Sequence, residues 1–552
     1  MNPSLRAEVA AWITADPDLE DRATLQSLLD NDDESELERR FSSPLTFGTA
    51  GLRGPVMAGP AGMNRYTVRR ATQGVIAWLH EIGVDAAKGV VVGRDGRHGS
   101  ELFNHEVVSV LLGAEVKVFE LPQPLPTPFV PYCVKALGAA AGIMITASHN
   151  PPEDNGFKLY SSDGAQIIPP NDEIVERHAT TSSAPILAAR TSTNHHDVSD
   201  DVVAQYRSHF ATRFAVAGGS DLRIAYTPLH GVGGATMTQL FGQAGYRRVT
   251  PVAVQFRPDP RFPTLPFPNP EEPGALDVAM ATADEVGARL VIANDPDADR
   301  LGAAVHGPLG WQVLRGDEIG WLLASALLPE MTGPADVVAT TIVSSTLLRD
   351  MARQDKVSFA MTLTGFKWIS RAAGEGVLRF GYEEALGFAV DPLVADKDGM
   401  SAALALARLA DRLDREGRTL LDRLDEIESR FGVHSVSQLS LRASGTDGLE
   451  RIRAAVAKLR ATPPTSLGAV AVSASHDLAL GYEGLQPTDG LLFELGSTGR
   501  VVVRPSGTEP KLKAYIEITS PSSDDSDLVA QRAAALAVVN AVRRDLETLL
   551  AF

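Results

Sequence analysis

Short, β-branched apolar runs separated by helical patterns recur along this chain up to about residue 431. That alternation restricts the fold to α/β architectures in which strands lie largely parallel and helices pack between them. Gly89-Val90-Val91-Val92-Gly93, Glu115-Val116-Lys117-Val118-Phe119 and Gly142-Ile143-Met144-Ile145 read as strands, with a helical stretch from about Leu102 to Leu112. The polar stretch from His178 to Asp201 reads as a surface connection at a domain boundary. A second unit begins with the strand Arg223-Ile224-Ala225-Tyr226 and a Pro/Gly-rich loop, Thr227 to Gly234. It continues through Arg289-Leu290-Val291-Ile292-Ala293, which runs into an acidic cluster.

A third α/β region spans about Trp311 to Phe431, with a strand at Ala335–Thr340 and a loop at Gly381–Phe388. From about Gly432 the pattern changes. Val501-Val502-Val503-Arg504 and Leu512–Ile518 alternate with period two, which predicts a half-exposed antiparallel sheet. A final helix from about Asp527 carries Leu528, Ala535, Val539, Val542 and Leu546 on one face. The chain's 552 residues fit three to four domains. Their expected spans are 1–205, 206–310, 311–431 and 432–552.

A formal net charge of -18 argues against non-specific nucleic-acid binding and against an anionic membrane surface, while leaving room for a small anionic substrate in a locally basic pocket. The single cysteine, Cys133, has no intramolecular disulfide partner and reads as a small buried hydrophobe. The N-terminal residues show helical spacing at Leu5, Val9, Trp12 and Ile13 rather than a basic region followed by an apolar one. The expected location is cytoplasmic.

Two segments carry the chemistry. Thr146-Ala147-Ser148-His149-Asn150-Pro151 follows a buried strand, and in open α/β sheets ligands gather at such C-terminal strand ends. Taken alone, it is equally an ordinary polar turn. Asp295-Pro296-Asp297-Ala298-Asp299-Arg300 offers three carboxylates at alternate positions, hard oxygen ligands suited to Mg²⁺ or Ca²⁺. The EF-hand reading fails, because Arg300 and His306 stand where that loop needs Gly and Glu. Lys158, ten residues beyond Ser148, can pair with a phosphoryl group or move a proton.

Arg504-Pro505-Ser506-Gly507-Thr508-Glu509-Pro510-Lys511 concentrates anion-binding donors and lacks the P-loop spacing. Gly381–Phe388, with Glu383 and Glu384, offers carboxylates of the kind that accept from sugar hydroxyls, but taken alone it reads first as structural. Gly48–Gly54 is a Gly-rich segment holding Arg53.

Taken together, these runs resemble the α-D-phosphohexomutase family, the phosphoglucomutase/phosphomannomutase enzymes, with its phosphoserine, metal, sugar and phosphate loops in the family's order. The resemblance implies four domains around a central cleft, three α/β with mixed, largely parallel sheets and a C-terminal α+β domain with an antiparallel sheet. It implies that Ser148 is a phosphoserine. Asp295, Asp297 and Asp299 would hold Mg²⁺, with a phosphoserine oxygen as a further ligand.

By the same resemblance Arg53, His149 and Lys158 surround the transferring phosphoryl group, with Lys158 as general acid/base. Arg300, Lys367, Glu383, Glu384, Lys397, Arg504, Ser506, Gly507 and Thr508 bind substrate. The implied reaction interconverts hexose 1-phosphate and hexose 6-phosphate, of glucose or mannose, through a sugar bisphosphate that is both intermediate and activator. The only implied partners are small sugar phosphates, and oligomeric state is left open.

Many members read Gly-Glu-x-Ser in the sugar loop. Here the run is Tyr382-Glu383-Glu384-Ala385, so either carboxylate remains a candidate and a phosphopentomutase acting on ribose or deoxyribose 1-phosphate stays open. A metal-dependent sugar-phosphate phosphatase and a non-catalytic sugar-phosphate-binding protein are the remoter alternatives.

Overall fold

The computed structural model describes residues 1–48, 51–181, 184–443, 448–505, 511–522 and 527–550. Met1–Val313 with Pro392–Leu404 make one compact unit, and Leu314–Asp391 with Ala405–Phe552 make a second. Among the described residues no helix is long and apolar enough to cross a membrane.

The first unit opens with three helices, Pro3–Ala15, Leu19–Asp30 and Glu34–Phe41. Asn2, Asp18 and Asp33 cap them through side-chain oxygens that accept first-turn amides. Val9, Trp12, Leu25, Leu29, Leu37 and Phe41 form their small core.

A six-stranded sheet follows, ordered Leu52–Pro55, Asp154–Ser161, Ala141–Ile145, Val90–Arg94, Val118–Glu120, His195–Asp197. Its last four strands run parallel, and the first two pair antiparallel. Every residue of Ala141–Ile145 is buried, as expected of an inner strand covered on both faces, and Ser148 lies just past its end. The second sheet is ordered Gly310–Val313, Gly302–Gly307, Leu290–Ala293, Ser220–Thr227, Tyr246–Pro251. Leu290–Ala293, also wholly buried, delivers the chain to Asp295.

The second unit holds a four-stranded sheet, Ser358–Thr362, Asp336–Thr341, Val377–Glu383 and Gly387–Ala389, parallel except for the last pair. Its five-stranded C-terminal sheet is wholly antiparallel. There Gly499–Pro505 pairs with Lys511–Ser520, and the helix Leu528–Leu549 buries Ala535, Val539, Val542 and Leu546. This is the expected fold class: three α/β domains and an antiparallel α+β domain.

Four local expectations need correction. Glu115 does not begin a strand. It has φ +60°, and the amides of Glu115 and Val116 bond back to Leu112 and Leu111, closing the helix Ser100–Gly113 before the strand starts at Val118. The stretch 178–201 is more than a linker, because it ends the helix Asn171–Thr181 and supplies the polar edge strand His195–Asp197. Trp311 lies in the second sheet rather than opening the third, since Gly310–Val313 folds back on Gly302–Gly307. Gly381–Phe388 is mostly a hairpin of buried Tyr382 and Phe388, joined by Glu384–Leu386, with Leu386 at φ +62°.

Candidate active site

In the first unit two loops at strand ends meet. Ser148 is 1 % exposed and sits in the left-handed region at φ +54°, a conformation that costs a non-glycine residue about 1–2 kcal/mol. Its amide donates to Thr146 Oγ1 at 2.9 Å. The turn aims Oγ at Oδ2 of Asp295, 2.8 Å away, with His149 Nδ1 at 3.2 Å.

The aspartate loop is also shaped by a left-handed residue, Ala298 at φ +55°, whose amide bonds to Asp295 O. Behind it stands the loop after Ser220–Thr227. A Cβ on Gly231 would collide with the backbone of Pro296, so only glycine fits this close approach.

Asp295, Asp297 and Asp299 are fully buried, and one oxygen from each lies within 4.8 Å of the others. Lys158 Nζ donates to Oδ2 of Asp297 at 2.7 Å and to Oδ2 of Asp299 at 2.6 Å. Thr127 Oγ1 adds a 2.6 Å bond to Asp297 Oδ2, and Lys397 Nζ lies 3.0 Å from Asp299 Oδ2. The opposite oxygens, Oδ1 of Asp297 and of Asp299, are buried without a hydrogen-bond partner. Orphaned carboxylate oxygens in a buried triad suit a hard divalent cation.

The titration follows the same geometry. Burial, then the charges of Asp297 and Asp299, push Asp295 well above the usual carboxylate range. Burial presses Asp297 and Asp299 the same way, but the Lys158 ammonium, joined by Lys397 at Asp299, holds both below it. His149 is kept neutral by burial and by the nearby Arg300 and Arg53 cations. Arg53 stands on the strand Leu52–Pro55 opposite Gly156, and its buried Nε has no hydrogen-bond partner. Arg300 Nη1 pairs with Glu271 at 3.1 Å.

The remaining candidates belong to the second unit. Lys367 is buried in the short helix Phe366–Ile369, and Arg504 is half-buried opposite Lys513. Glu383 closes the strand Val377–Glu383. The Glu384 carboxylate accepts from Ser344 Oγ at 2.9 Å. Beneath it, Asp317 Oδ1 accepts from Ser345 N at 2.8 Å and Tyr382 OH at 2.9 Å. Burial, with Glu384 and Glu517 adding to it against the Ser345 amide, pushes Asp317 up to about 7. Ser506, Gly507 and Thr508 lie outside the described residues.

Sequence reasoning missed Thr127, and it missed Arg97, whose guanidinium reaches the Ser148 loop. The signal for Arg97 was present in Arg94-Asp95-Gly96-Arg97, charged residues directly after a buried strand. Thr127 stands in a proline-rich loop with no local pattern to mark it.

Four successive stretches match models described as phosphoglucomutase/phosphomannomutase alpha/beta/alpha domain I (residues 44–185), domain II (204–308), domain III (315–431) and C-terminal domain (452–537). A Haemophilus influenzae protein named "Probable phosphomannomutase" is 39 % identical over 474 residues, covering 85 % of this chain and 95 % of that one. A Schizosaccharomyces pombe protein named "Probable phosphoribomutase" is 35 % identical over 568 residues, covering 95 % and 96 %. The crystal structure of a phosphoglucomutase/phosphomannomutase family protein from Burkholderia thailandensis shares the fold, with a TM-score of 0.70 at 21 % identity over 91 % of this chain and 97 % of that one. The chain therefore belongs to the phosphoglucomutase/phosphomannomutase family of phosphosugar mutases, which are isomerases.

Proposed function

We propose that this enzyme interconverts hexose 1-phosphate and hexose 6-phosphate, with glucose or mannose as the sugar, through a phosphorylated Ser148. The observation that carries the reading is the 2.8 Å approach of Ser148 Oγ to Asp295 Oδ2, beside two carboxylates whose Oδ1 atoms are buried and unpartnered. Asp295, Asp297 and Asp299 would hold Mg²⁺ together with a phosphoserine oxygen. The ion's contribution, when bound, is to neutralise charge on the phosphoryl oxygens.

The chain's own residues do the rest. Phospho-Ser148 gives its phosphoryl group to a free hydroxyl of the sugar monophosphate. The P–O bond to Ser148 breaks, and a P–O bond to the sugar forms. The Lys158 ammonium gives a proton to the departing Ser148 Oγ and takes the hydroxyl's proton in its place, and neutral His149 lies within reach of Ser148 Oγ. Arg53 presents positive charge to the same loop. The bisphosphate then returns its other phosphate to Ser148, so the net change is the position of one phosphate. Lys367, Arg504, Ser506, Gly507 and Thr508 would hold the phosphate that is not reacting, and Glu383 the sugar hydroxyls.

A second reading, a pentose phosphate substrate, draws support from three observations. Ala385 offers no hydroxyl, and the Glu384 carboxylate is already engaged by Ser344, which leaves fewer groups to grip a hexose. The likeness to a protein named phosphoribomutase also extends over 95 % of this chain.

Glucose 1-phosphate, mannose 1-phosphate and ribose 1-phosphate, compared side by side with Mg²⁺ and a bisphosphate activator, separate the readings by kcat/KM. Intact mass should show a phosphoryl adduct that Ser148→Ala removes together with activity. A Ser148→Ala enzyme of near-wild-type rate would end the covalent scheme. Release of inorganic phosphate as fast as isomerisation would make the protein a phosphatase.

A further inference from the structure

Arg97 follows the strand Val90–Arg94, and its side chain is buried. Its two terminal nitrogens reach four backbone carbonyls between Ser148 and Asp154, the first residue of the next strand. Nη2 donates to Ser148 O at 2.7 Å and Asn150 O at 2.6 Å, while Nη1 donates to Pro151 O at 2.7 Å and Asp154 O at 3.2 Å. The nearest carboxylate, Asp95, is only loosely paired. Its Oδ2 lies 3.5 Å from Arg97 Nε, and neither of those atoms has a hydrogen-bond partner. Asp95 instead uses Oδ1 to accept Arg97 N and Ser100 Oγ. The guanidinium also lies over the Phe262 ring, 4.9 Å from its centre. Phe262 comes from the second sheet's half of this unit, the half that carries the aspartate loop.

A buried cation held mainly by carbonyls is a costly way to stabilise a fold. It makes sense where carbonyls must converge that no helix or sheet can satisfy, and only the planar five-donor fork of arginine can meet four of them at once. The loop it serves holds a serine in the left-handed region. If that serine cycles between a neutral hydroxyl and a phosphate of nearly two negative charges, the force on the loop changes at every turnover. In-line transfer tolerates little displacement of the attacking oxygen.

We infer that Arg97 is the positioning residue of the phosphoryl-carrying loop: it fixes the backbone from Ser148 to Asp154, so that Oγ keeps its place at the aspartate triad with or without phosphate. Its terminal nitrogens bond to backbone carbonyls rather than to Ser148 Oγ, so it acts on the reacting oxygen through the loop. This inference rests on the phosphoserine reading above.

The test uses full-length Arg97→Lys, Arg97→Ala and Phe262→Leu, with glucose 1-phosphate, Mg²⁺ and the bisphosphate, or with whichever sugar phosphate proves best. For Arg97→Lys, kcat should fall about 100-fold while KM for the sugar phosphate moves less than about threefold, because positioning acts on the transition state. Arg97→Ala should recover part of its kcat on addition of guanidinium at non-denaturing concentration. Phe262→Leu, which leaves the carbonyl contacts in place, should lower kcat a few-fold at constant KM, and it decides the matter if the Arg97 variants do not fold.

A KM that rises with the loss of kcat, an unchanged kcat in Phe262→Leu, or folded Arg97 variants that keep wild-type kcat would overturn the role. The rate at which the bisphosphate phosphorylates Ser148, followed by intact mass, keeps the two readings apart. Wild-type protein that never gains the adduct sinks the phosphoserine scheme. An adduct that forms in Arg97→Lys at the wild-type rate sinks the positioning role alone.

Discussion

Ser148 and Asp295 are 147 positions apart in the chain, yet Oγ and Oδ2 are 2.8 Å apart. The bond joins the end of one sheet's inner strand to the end of another's. Asp295→Asn keeps the shape and removes the charge. It should lower kcat about 100-fold, the scale of losing one preorganised electrostatic contact, and raise the Mg²⁺ concentration needed for half-maximal rate. Initial rates across a Mg²⁺ titration check both.

Lys158 separates two buried carboxylates. Lys158→Met leaves Asp297 and Asp299 without that counter-charge, and breaking a buried pair in this way costs about 3–5 kcal/mol. A cation bound to the triad restores the balance, so Mg²⁺ should raise the melting temperature of Lys158→Met by more than it raises that of the wild type. Thermal unfolding with Mg²⁺ and with chelator gives the comparison. Equal shifts in the two proteins would show that the triad does not take the ion.

Asp317 gives a pH signature. Folded, it keeps its proton up to about 7; unfolded, it releases it near 3.9. The folded state therefore binds the extra proton between those values. Stability falls as pH rises through that window, by at most about 1.4 kcal/mol per pH unit, and this contribution is gone above 7. Asp317→Asn can still accept from Ser345 and Tyr382 but does not titrate. Denaturation curves at pH 5, 6 and 7 should show a shallower decline for the variant than for the wild type.

Cys133 is fully buried, and burial pushes its thiol up to about 12. The native protein should not react with a thiol reagent at neutral pH, and one equivalent should react in denaturant. Prompt labelling of the native protein would contradict its packing.

Much of the fold and part of the site were legible from the chain. Buried β-branched runs such as Val90–Val92 and Leu290–Ile292 announce themselves, and a polar cluster directly after such a run stands out because only a site or a turn belongs there. The edge strand His195–Asp197 has no apolar signal, because its pairing with Val118–Glu120 comes from tertiary contact. Glu115 was misread because a helix's closing turn and a strand's first residues share one apolar run. Arg97 was passed over because its role lies in carbonyls 51 to 57 positions away. The charged run Arg94–Arg97 after a buried strand marks the place, but backbone acceptors carry no sequence identity, so the partners that define the role stay hidden.

The segment Pro392–Leu404 belongs to the first unit, although the chain on either side of it builds the second. Lys135 donates to Pro392 O, Gln166 to Asp396, Tyr206 to Asp398, and Lys397 pairs with Asp299. On the ribosome, then, the aspartate triad exists long before its last counter-charge has been synthesised. A nascent chain stopped at Val313, or one cut there by a protease, has both sheets of the first unit and all three aspartates but not the lysine that completes them. The gene cannot be divided at that boundary without parting Asp299 from Lys397.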